Sequence, residues 1–260
     1  MRLRKDVNVF VYDPSMKFFN VVVELKNEPG ALRSVLDILQ GLKINILGSF
    51  SSVDPKGDTG TWSAFVENSD HTASGLKRRI LSSPLVLSAI VTESTDGFLV
   101  DSVHFPLTFN TGDRAVLMRS EQLSRMLSVI RKEFGSGGNV ILYEEGRAYG
   151  KSVGADYLSR LGLKLVESNL PNVMNLYQAL GWFKLERVRQ NRREKSLTIR
   201  VSGCFECEGS KSAVPYSHFV RGHLSGAMTA IFGREMTCEE TRCVAAGGQV
   251  CEFLIGPTKG

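Results

Sequence analysis

The sequence predicts a mixed α/β (α+β) protein with two domains. Up to about residue 93, strand and helix patterns follow the order β-α-β-β-α-β, which is that of the ferredoxin-like fold. A short polar segment comes next, and the remainder mixes helical patterns with two hairpins. We therefore predict an N-terminal extension over 1–16, a ferredoxin-like domain over 17–93 and a larger mixed α/β domain over 98–257.

Length, composition and charge exclude several classes of protein. At 260 residues the chain can form two hydrophobic cores, and without a run of about 18 apolar residues a membrane-spanning helix is not expected. No apolar run long enough for a secretory signal follows Met1, so we expect a cytoplasmic protein, in which clustered cysteines bind metal or sense redox state. A net charge of +5 is too small to predict direct binding to nucleic acid.

The predicted ferredoxin-like domain begins with the β-branched and aromatic run FFNVVVEL. Pro29-Gly30 ends this strand and opens a helix, whose apolar residues recur at i, i+3, i+4 and i+7 through about Gln40. The other predicted segments are strands at 44–53 and 61–66, a helix at 72–81 and a strand at 85–91.

The junction L-x-N-x-P-G-A-L, at Leu25 to Leu32, resembles that of the ACT domain. The resemblance covers residues 17–93 and implies a regulatory module that typically binds amino acids. Its candidate ligand-binding residues are Asn27, Pro29, Gly30 and Ala31. Gly30 would let a ligand approach the backbone, and the helix N-terminus offers N–H groups to a carboxylate. Two other interpretations stay open: Pro29-Gly30 only turns the chain, or the module serves dimerisation.

The larger domain opens with helical patterns. Leu123, Leu127, Ile130 and Phe134 predict a helix from about Ser120, and 140–143 fits a short strand or the start of the next helix. Gly146, Gly150 and Gly154 then recur every four residues on one face of a helix that is predicted to end near Leu161. Three glycines on one face predict close packing against another helix, in the same chain or in a second subunit, or close approach of a ligand.

Two hairpins are predicted in the remainder of this domain. The first combines 181–189 with 195–201 and carries five positive charges at its tip, which we expect to be solvated. The second combines 236–244 with 250–255.

All five cysteines follow this first hairpin, and four of them are spaced like metal ligands. The pairs form C-x2-C and C-x7-C, and a glutamate precedes the second pair as E-x2-C. Thiolates and a carboxylate brought together across a hairpin suit a zinc site. The alternatives are reduced cysteines packed in a core without metal, or a redox switch. The candidate ligands are Cys204, Cys207, Glu240, Cys243 and Cys251, whereas Cys238 lies outside the pattern.

Two further motifs resemble the 4-vinyl reductase-type domain: F-x2-G-x-L-x-G at Phe219 to Gly226, and E-x2-C-x-A-x-G-x3-C-x-F at Glu240 to Phe253. The resemblance covers residues 98–257. It implies an α/β fold shared with trafficking (TRAPP-type) subunits and small-molecule sensors. In the phenol sensors of that family, zinc is bound by the Glu and two Cys of the last hairpin and by a Cys before the helix.

This chain departs from the family at the fourth ligand, where Ser217 replaces the cysteine. The hydroxyl of serine is a poor zinc ligand compared with thiolate or imidazole. Cys204 or Cys207 can replace it, as can His218, and the C-x2-C spacing favours the cysteines. Three cysteines with Glu240, or four cysteines with Glu240 outside the coordination sphere, are both compatible with the spacing.

Both resemblances imply regulation, so the sequence predicts a sensor without enzymatic activity. Its second domain would enclose a small apolar or aromatic ligand, and zinc would hold the hairpin that covers the pocket. The ACT-like domain would bind an amino acid or form the contact of a homodimer, and the signal would pass to a downstream partner. The alternatives are a reductase acting on vinyl-bearing tetrapyrroles, for which no G-x-G-x-x-G pattern is present, and a zinc-stabilised assembly scaffold.

Overall fold

The computed structural model describes residues 5–54, 56–68, 70–109, 112–160 and 170–258, with the backbone alone for 157–160. The chain forms two compact units, Met1–Leu107 and Thr108–Gly260. None of the described helices is long and apolar enough to cross a membrane. The predicted helix end near Leu161 lies outside the described residues.

The first unit has the ferredoxin-like topology. Its four-stranded antiparallel sheet has the order β3-β4-β2-β5, so the β-α-β-β-α-β order predicted from the sequence is confirmed. The elements are β1 Phe10–Tyr12, β2 Lys17–Lys26, α1 Ala31–Gly41, β3 Ile46–Val53, β4 Thr59–Asn68, α2 Ala73–Ile80, β5 Val86–Glu93 and β6 Phe98–Val100.

The central strand β2 has apolar residues on both faces, because both are covered. Phe19, Val21 and Val23 pack in one cluster with residues of both helices. Phe18, on the opposite face, packs with Phe65 and with Leu99 of β6. Alternate strand residues point to opposite faces, so one strand can serve two apolar clusters.

Residues 10–12 are paired rather than free. The short strand β1 pairs with β6 in antiparallel register, which places both in the first unit. The second unit therefore begins at Thr108, whereas the sequence placed the start of the second domain at residue 98. The domain bounds 1–16, 17–93 and 98–257 stay predictions about functional modules.

Within its described residues, the second unit combines four helices with a second antiparallel sheet, of order β7-β8-β10-β9. Residues 140–143 are helical, within α4. The elements are α3 Ser120–Phe134, α4 Ser136–Arg160, α5 Leu170–Ala179, β7 Lys184–Asn191, β8 Ser196–Ser202, α6 His218–Phe232, β9 Met236–Arg242 and β10 Cys251–Pro257.

Glycines on both helices let α4 and α6 pack backbone to backbone within this chain. A Cβ atom on Gly150 would lie 2.1 Å from the carbonyl oxygen of His223, and one on Gly226 would lie 2.0 Å from that of Arg147. Gly146 makes the same kind of approach to Phe219. The predicted close packing is therefore with a helix of the same chain.

We predict that Gly150→Ala destabilises the second unit although alanine favours helix. The substitution gains about 1 kcal/mol of helix propensity, but the clash with the α6 backbone outweighs it, so we expect a net loss of about 2 kcal/mol or more. Urea unfolding measures the change. Gly137→Ala is the matched control, because no described atom lies within 4 Å of its Cβ position and α4 also contains it. Equal effects of the two substitutions would contradict this account.

Candidate metal centre

Four buried side chains converge at one end of the second sheet. Cys207 lies in the turn after β8, Glu240 on β9, Cys243 just after β9, and Cys251 at the start of β10. One ligand atom from each lies within 4.8 Å of all the others. The sulfur atoms of Cys207 and Cys243 are 3.5 Å apart. The fold therefore brings together a Cys3Glu set that can hold a metal ion.

The turn between β9 and β10 positions two of these cysteines. The carbonyl oxygen of Cys243 accepts hydrogen bonds from the N–H groups of Ala246 and Gly248, at 3.1 and 2.8 Å. Gly247 has a φ of 87°, which favours glycine. The N–H of Val244 then donates to the sulfur of Cys251 at 3.4 Å, so the turn itself points both sulfurs into the site.

Glu240 connects the cysteines to helix α6. Its Oε2 accepts hydrogen bonds from the backbone N–H groups of Tyr216 and Ser217, at 3.1 and 3.0 Å. Its Oε1 faces the sulfur of Cys207, at 3.8 Å. Burial raises the pKa of Glu240, and hydrogen bonds from Ser217 act in the opposite direction. Ser217 thus donates its backbone N–H to Glu240 at the start of α6, at the position where the 4-vinyl reductase-type pattern has a cysteine.

A second buried carboxylate, that of Glu206, also binds the start of α6, and sequence reasoning missed it. It accepts hydrogen bonds from the N–H groups of Phe219 and Val220, at 3.1 and 2.8 Å, and forms an ion pair with Arg131 of α3. Burial raises its pKa to about 7, against the opposing effects of Val220 and Arg131. The only sequence signal for Glu206 is its place between Cys204 and Cys207, which are spaced like metal ligands.

The cysteine sulfurs share hydrogen bonds. Those from Cys204 and Cys207 to Cys251 lower the pKa of Cys251 to about 3. Interactions with Cys204 and Cys251 raise the pKa of Cys207, and burial raises that of Cys243. A divalent cation bound by these sulfurs would replace their protons.

The other sequence candidates lie near this group. The sulfur of Cys204 is buried and interacts with those of Cys207 and Cys251, but it is outside the mutual 4.8 Å set. His218 places Nδ1 2.9 Å from the carbonyl oxygen of Tyr216 and does not join the set. Cys238 is buried in the apolar core of this unit.

A buried histidine lies among aromatic rings farther along α6. His223 is 2% exposed, and its ring centroid lies 4.7 Å from that of Trp182, 5.1 Å from Tyr149 and 5.4 Å from Tyr177. None of the described residues hydrogen-bonds its Nδ1. Burial lowers its pKa to about 4, so it is neutral at pH 7. We call His223, Tyr149, Tyr177 and Trp182 the aromatic cluster.

In the first unit, the candidate ligand-binding residues form the turn from β2 into α1. Gly30 has a φ of 93°, and no described atom lies within 4 Å of its Cβ position, so backbone conformation accounts for the glycine. The side chain of Asn27 donates to the carbonyl oxygen of Gly57 at 2.8 Å. Pro29 is exposed and Ala31 is buried. Ligand binding at these residues stays a prediction.

We predict that His223 makes the second unit less stable in acid. Between pH 6.5 and 4 the unfolded chain binds a proton at His223 and the folded chain does not. The contribution of His223 to the free energy of unfolding is therefore complete above pH 6.5 and is lost as the pH falls toward 4. At about 1.4 kcal/mol per pKa unit, the loss is up to about 3 kcal/mol. Urea unfolding with chelator present, so that metal release does not contribute, should show a flatter pH dependence in His223→Leu. Parallel curves for the two proteins would refute this.

Comparisons with known proteins match the region that contains the candidate metal centre. A family model described as the V4R domain matches residues 197–257. Two proteins of Methanocaldococcus jannaschii, the uncharacterized proteins MJ0745 and MJ0150, are each 25% identical, over 52% and 46% of this chain. The chain covers 65% and 66% of the length of these relatives.

Solved structures are similar over just over half of the chain. The phenol-responsive sensory domain of the transcription activator PoxR, with phenol, is 16% identical with a TM-score of 0.47, over 56% of this chain and 77% of that one. Trafficking protein particle complex subunit 3 from Naegleria fowleri, covalently bound to palmitic acid, is 14% identical with a TM-score of 0.42, over 54% of this chain and 95% of that one. A vinyl-4-reductase family protein from Methanocaldococcus jannaschii is 18% identical with a TM-score of 0.35, over 56% of this chain and 100% of that one. Residues 197–257, which hold the whole Cys3Glu set, thus match a V4R domain.

Proposed function

We propose that this chain is a zinc-containing regulatory protein of the cytoplasm whose second unit binds a small apolar or aromatic molecule. The observation that carries the proposal is the buried Cys3Glu set inside the V4R match. Metal binding is supported because the members of this set are buried and hydrogen-bond with one another.

Zinc is the metal that best suits these donors. Sulfur-rich sites bind soft or borderline ions, and zinc accepts thiolates with a carboxylate in tetrahedral geometry. Cys207, Cys243 and Cys251 supply three thiolates, and the fourth position belongs to Glu240 or Cys204. A metal held by these residues would tie the turn after β8 to β9 and β10, and Glu240 would extend the connection to α6.

The aromatic cluster supports the class of ligand. Three aromatic side chains present ring surfaces around His223, whose neutral imidazole can accept one hydrogen bond. Apolar pockets with a few polar groups are typical of small-molecule sites. The ligand expected here is a small aromatic molecule carrying a hydroxyl group.

The first unit would add regulation of its own. Its ferredoxin-like topology and the turn that holds Asn27 and Gly30 support an ACT-like module that binds an amino acid or forms a homodimer contact. The signal would then pass to a downstream partner.

We predict that phenol binds more tightly than toluene, which has a similar shape but no hydroxyl. One hydrogen bond to His223 should give an advantage of about tenfold. Trp182 fluorescence measures binding in a Trp62→Phe background, because the chain has two tryptophans. The advantage should disappear in His223→Leu. If neither compound changes the emission, the ligand site is not this cluster.

We predict that the isolated protein contains one zinc per chain and that Cys243→Ser with Cys251→Ser removes it. The double variant loses two of the proposed thiolates, so its zinc content should fall below one tenth of wild type and chelator should no longer lower its stability. Elemental analysis and thermal unfolding are the measurements. Cys238→Ser is the matched control, since Cys238 is buried outside the site. Unchanged zinc in the double variant would refute the metal centre.

A further inference from the structure

The net positive charge of the chain lies on one hairpin. The whole chain has 32 positive and 27 negative residues, which gives a net charge of +5. The segment 184–202, which contains strands β7 and β8, has seven positive and two negative residues, so it alone accounts for that net charge. In the rest of the chain the two signs are equal in number. A charge that is small for the whole chain is therefore concentrated on one part of its surface.

The second sheet has an apolar face and a charged face. The β8 residues of the apolar face are buried with residues of α6 in the core of the second unit: Leu197, Ile199 and Val201. Thr198 and Arg200 point to the opposite face, because side chains alternate along a strand. Arg189 and Arg187 of β7 pair with these two residues, so they lie on that same face. We call the face that contains these four residues the outer face.

The arginines of the outer face share a single carboxylate partner. One row across the four strands reads Arg187, Arg200, Glu252 and Arg242. Glu252 accepts two hydrogen bonds from Arg200, at 3.1 and 2.7 Å, and its other oxygen lies 4.0 Å from Nε of Arg242. Among the described residues, none forms an ion pair with Arg187 or Arg189. The row therefore has more positive than negative charge.

The stability of the fold does not explain this arrangement. Arg187 lies directly opposite Arg200, and like charges in such a cross-strand pair repel each other. Arg187 and Arg189 are also exposed, so burial of their side chains does not offset the repulsion. A bound anion would supply the negative charge that the outer face lacks.

The side chains of the hairpin favour one class of anion. Five of the seven positive residues in 184–202 are arginines, whose planar guanidinium can donate two parallel hydrogen bonds to a phosphate. The segment contains no aromatic residue, so it lacks the rings on which single-stranded nucleic acids stack and the aromatic anchors of protein interfaces. Strand β7 has eight residues and is about 25 Å long, so it can face many phosphates of a duplex, which has one charge per about 1.7 Å.

We propose that the outer face of β7 and β8 binds duplex nucleic acid through its phosphate backbone, without reading the base sequence. Arg187 and Arg189 contact phosphates directly, and Arg200, which Glu252 holds in place, adds a third contact. Contacts of this kind carry no sequence information and weaken steeply with salt. The inference goes beyond the proposed function and requires neither its metal nor its small ligand.

Fluorescence anisotropy of a labelled DNA duplex of about 20 base pairs, titrated with the full chain at several salt concentrations, tests the proposal. In Arg187→Gln with Arg189→Gln, the slope of log K against log salt should become less negative by about 2, because each lost phosphate contact removes about 1. Two duplexes of unrelated sequence should lose affinity equally. Thermal unfolding checks that the variant folds, and its Tm should not fall, since the change removes a like-charge pair.

Arg33→Gln with Arg125→Gln is the matched control, because it removes the same charge from exposed positions on α1 and α3. This control should bind the duplex like wild type. Equal weakening in the two variants would overturn the proposal, because it would show that only net charge matters. Absence of duplex binding by wild type at low salt would also overturn it. So would tighter binding of a single strand, of polyglutamate or of phosphatidylserine vesicles than of the duplex.

Discussion

The second unit depends on the hydrogen bonds that the backbone N–H groups at the start of helix α6 make inside the protein. A buried N–H group without a partner costs about 1–3 kcal/mol. Two buried carboxylates, those of Glu240 and Glu206, accept these hydrogen bonds, and Arg131 offsets part of the charge of Glu206. The N–H groups that they bind belong to Tyr216, Ser217, Phe219 and Val220. Because both glutamates lie beside cysteines of the candidate metal centre, helix and metal centre form one structural unit.

The glycines of α4 and α6 fix the same helix along its length. Gly222 and Gly226 approach carbonyl oxygens of α4 so closely that a rotation or slide of α6 would bring side chains into the α4 backbone. Interiors packed this closely resist small displacements. The position of His223, between the metal centre and the C-terminal half of α6, is set by the same contact. A change at the aromatic cluster and a change at the metal centre would therefore both act on α6.

The sequence predicted those parts of the structure that follow from local periodicity and spacing. The ferredoxin-like order followed from period-2 and period-3.6 patterns. The E-x2-C-x7-C spacing singled out Glu240, Cys243 and Cys251 as candidate ligands, and the fold brings these three side chains together. The pairing of 10–12 with 98–100 could not be predicted, because three-residue strands carry too little pattern and their partner is distant in the chain. The ion pair of Glu206 with Arg131 joins a turn to a helix far away in sequence, so no local signal indicates it. The stretch 140–143 fitted either a strand or a helix, and the long helix around it decided the outcome.

Ser217 stands where the 4-vinyl reductase-type pattern has a cysteine, and the hydrogen bonds at the start of α6 do not need that sulfur. What α6 requires from this position is a backbone N–H directed at Glu240, and serine provides it as well as cysteine does. The lost sulfur can be supplied from another element, since the C-x2-C turn brings two thiols to the same group of side chains. The hydrogen bond at position 217 uses only the backbone N–H, so the side chain there can change without loss of that bond. On this view the element that cannot be exchanged is Glu240, because no other residue of the set binds both the cysteine group and the helix.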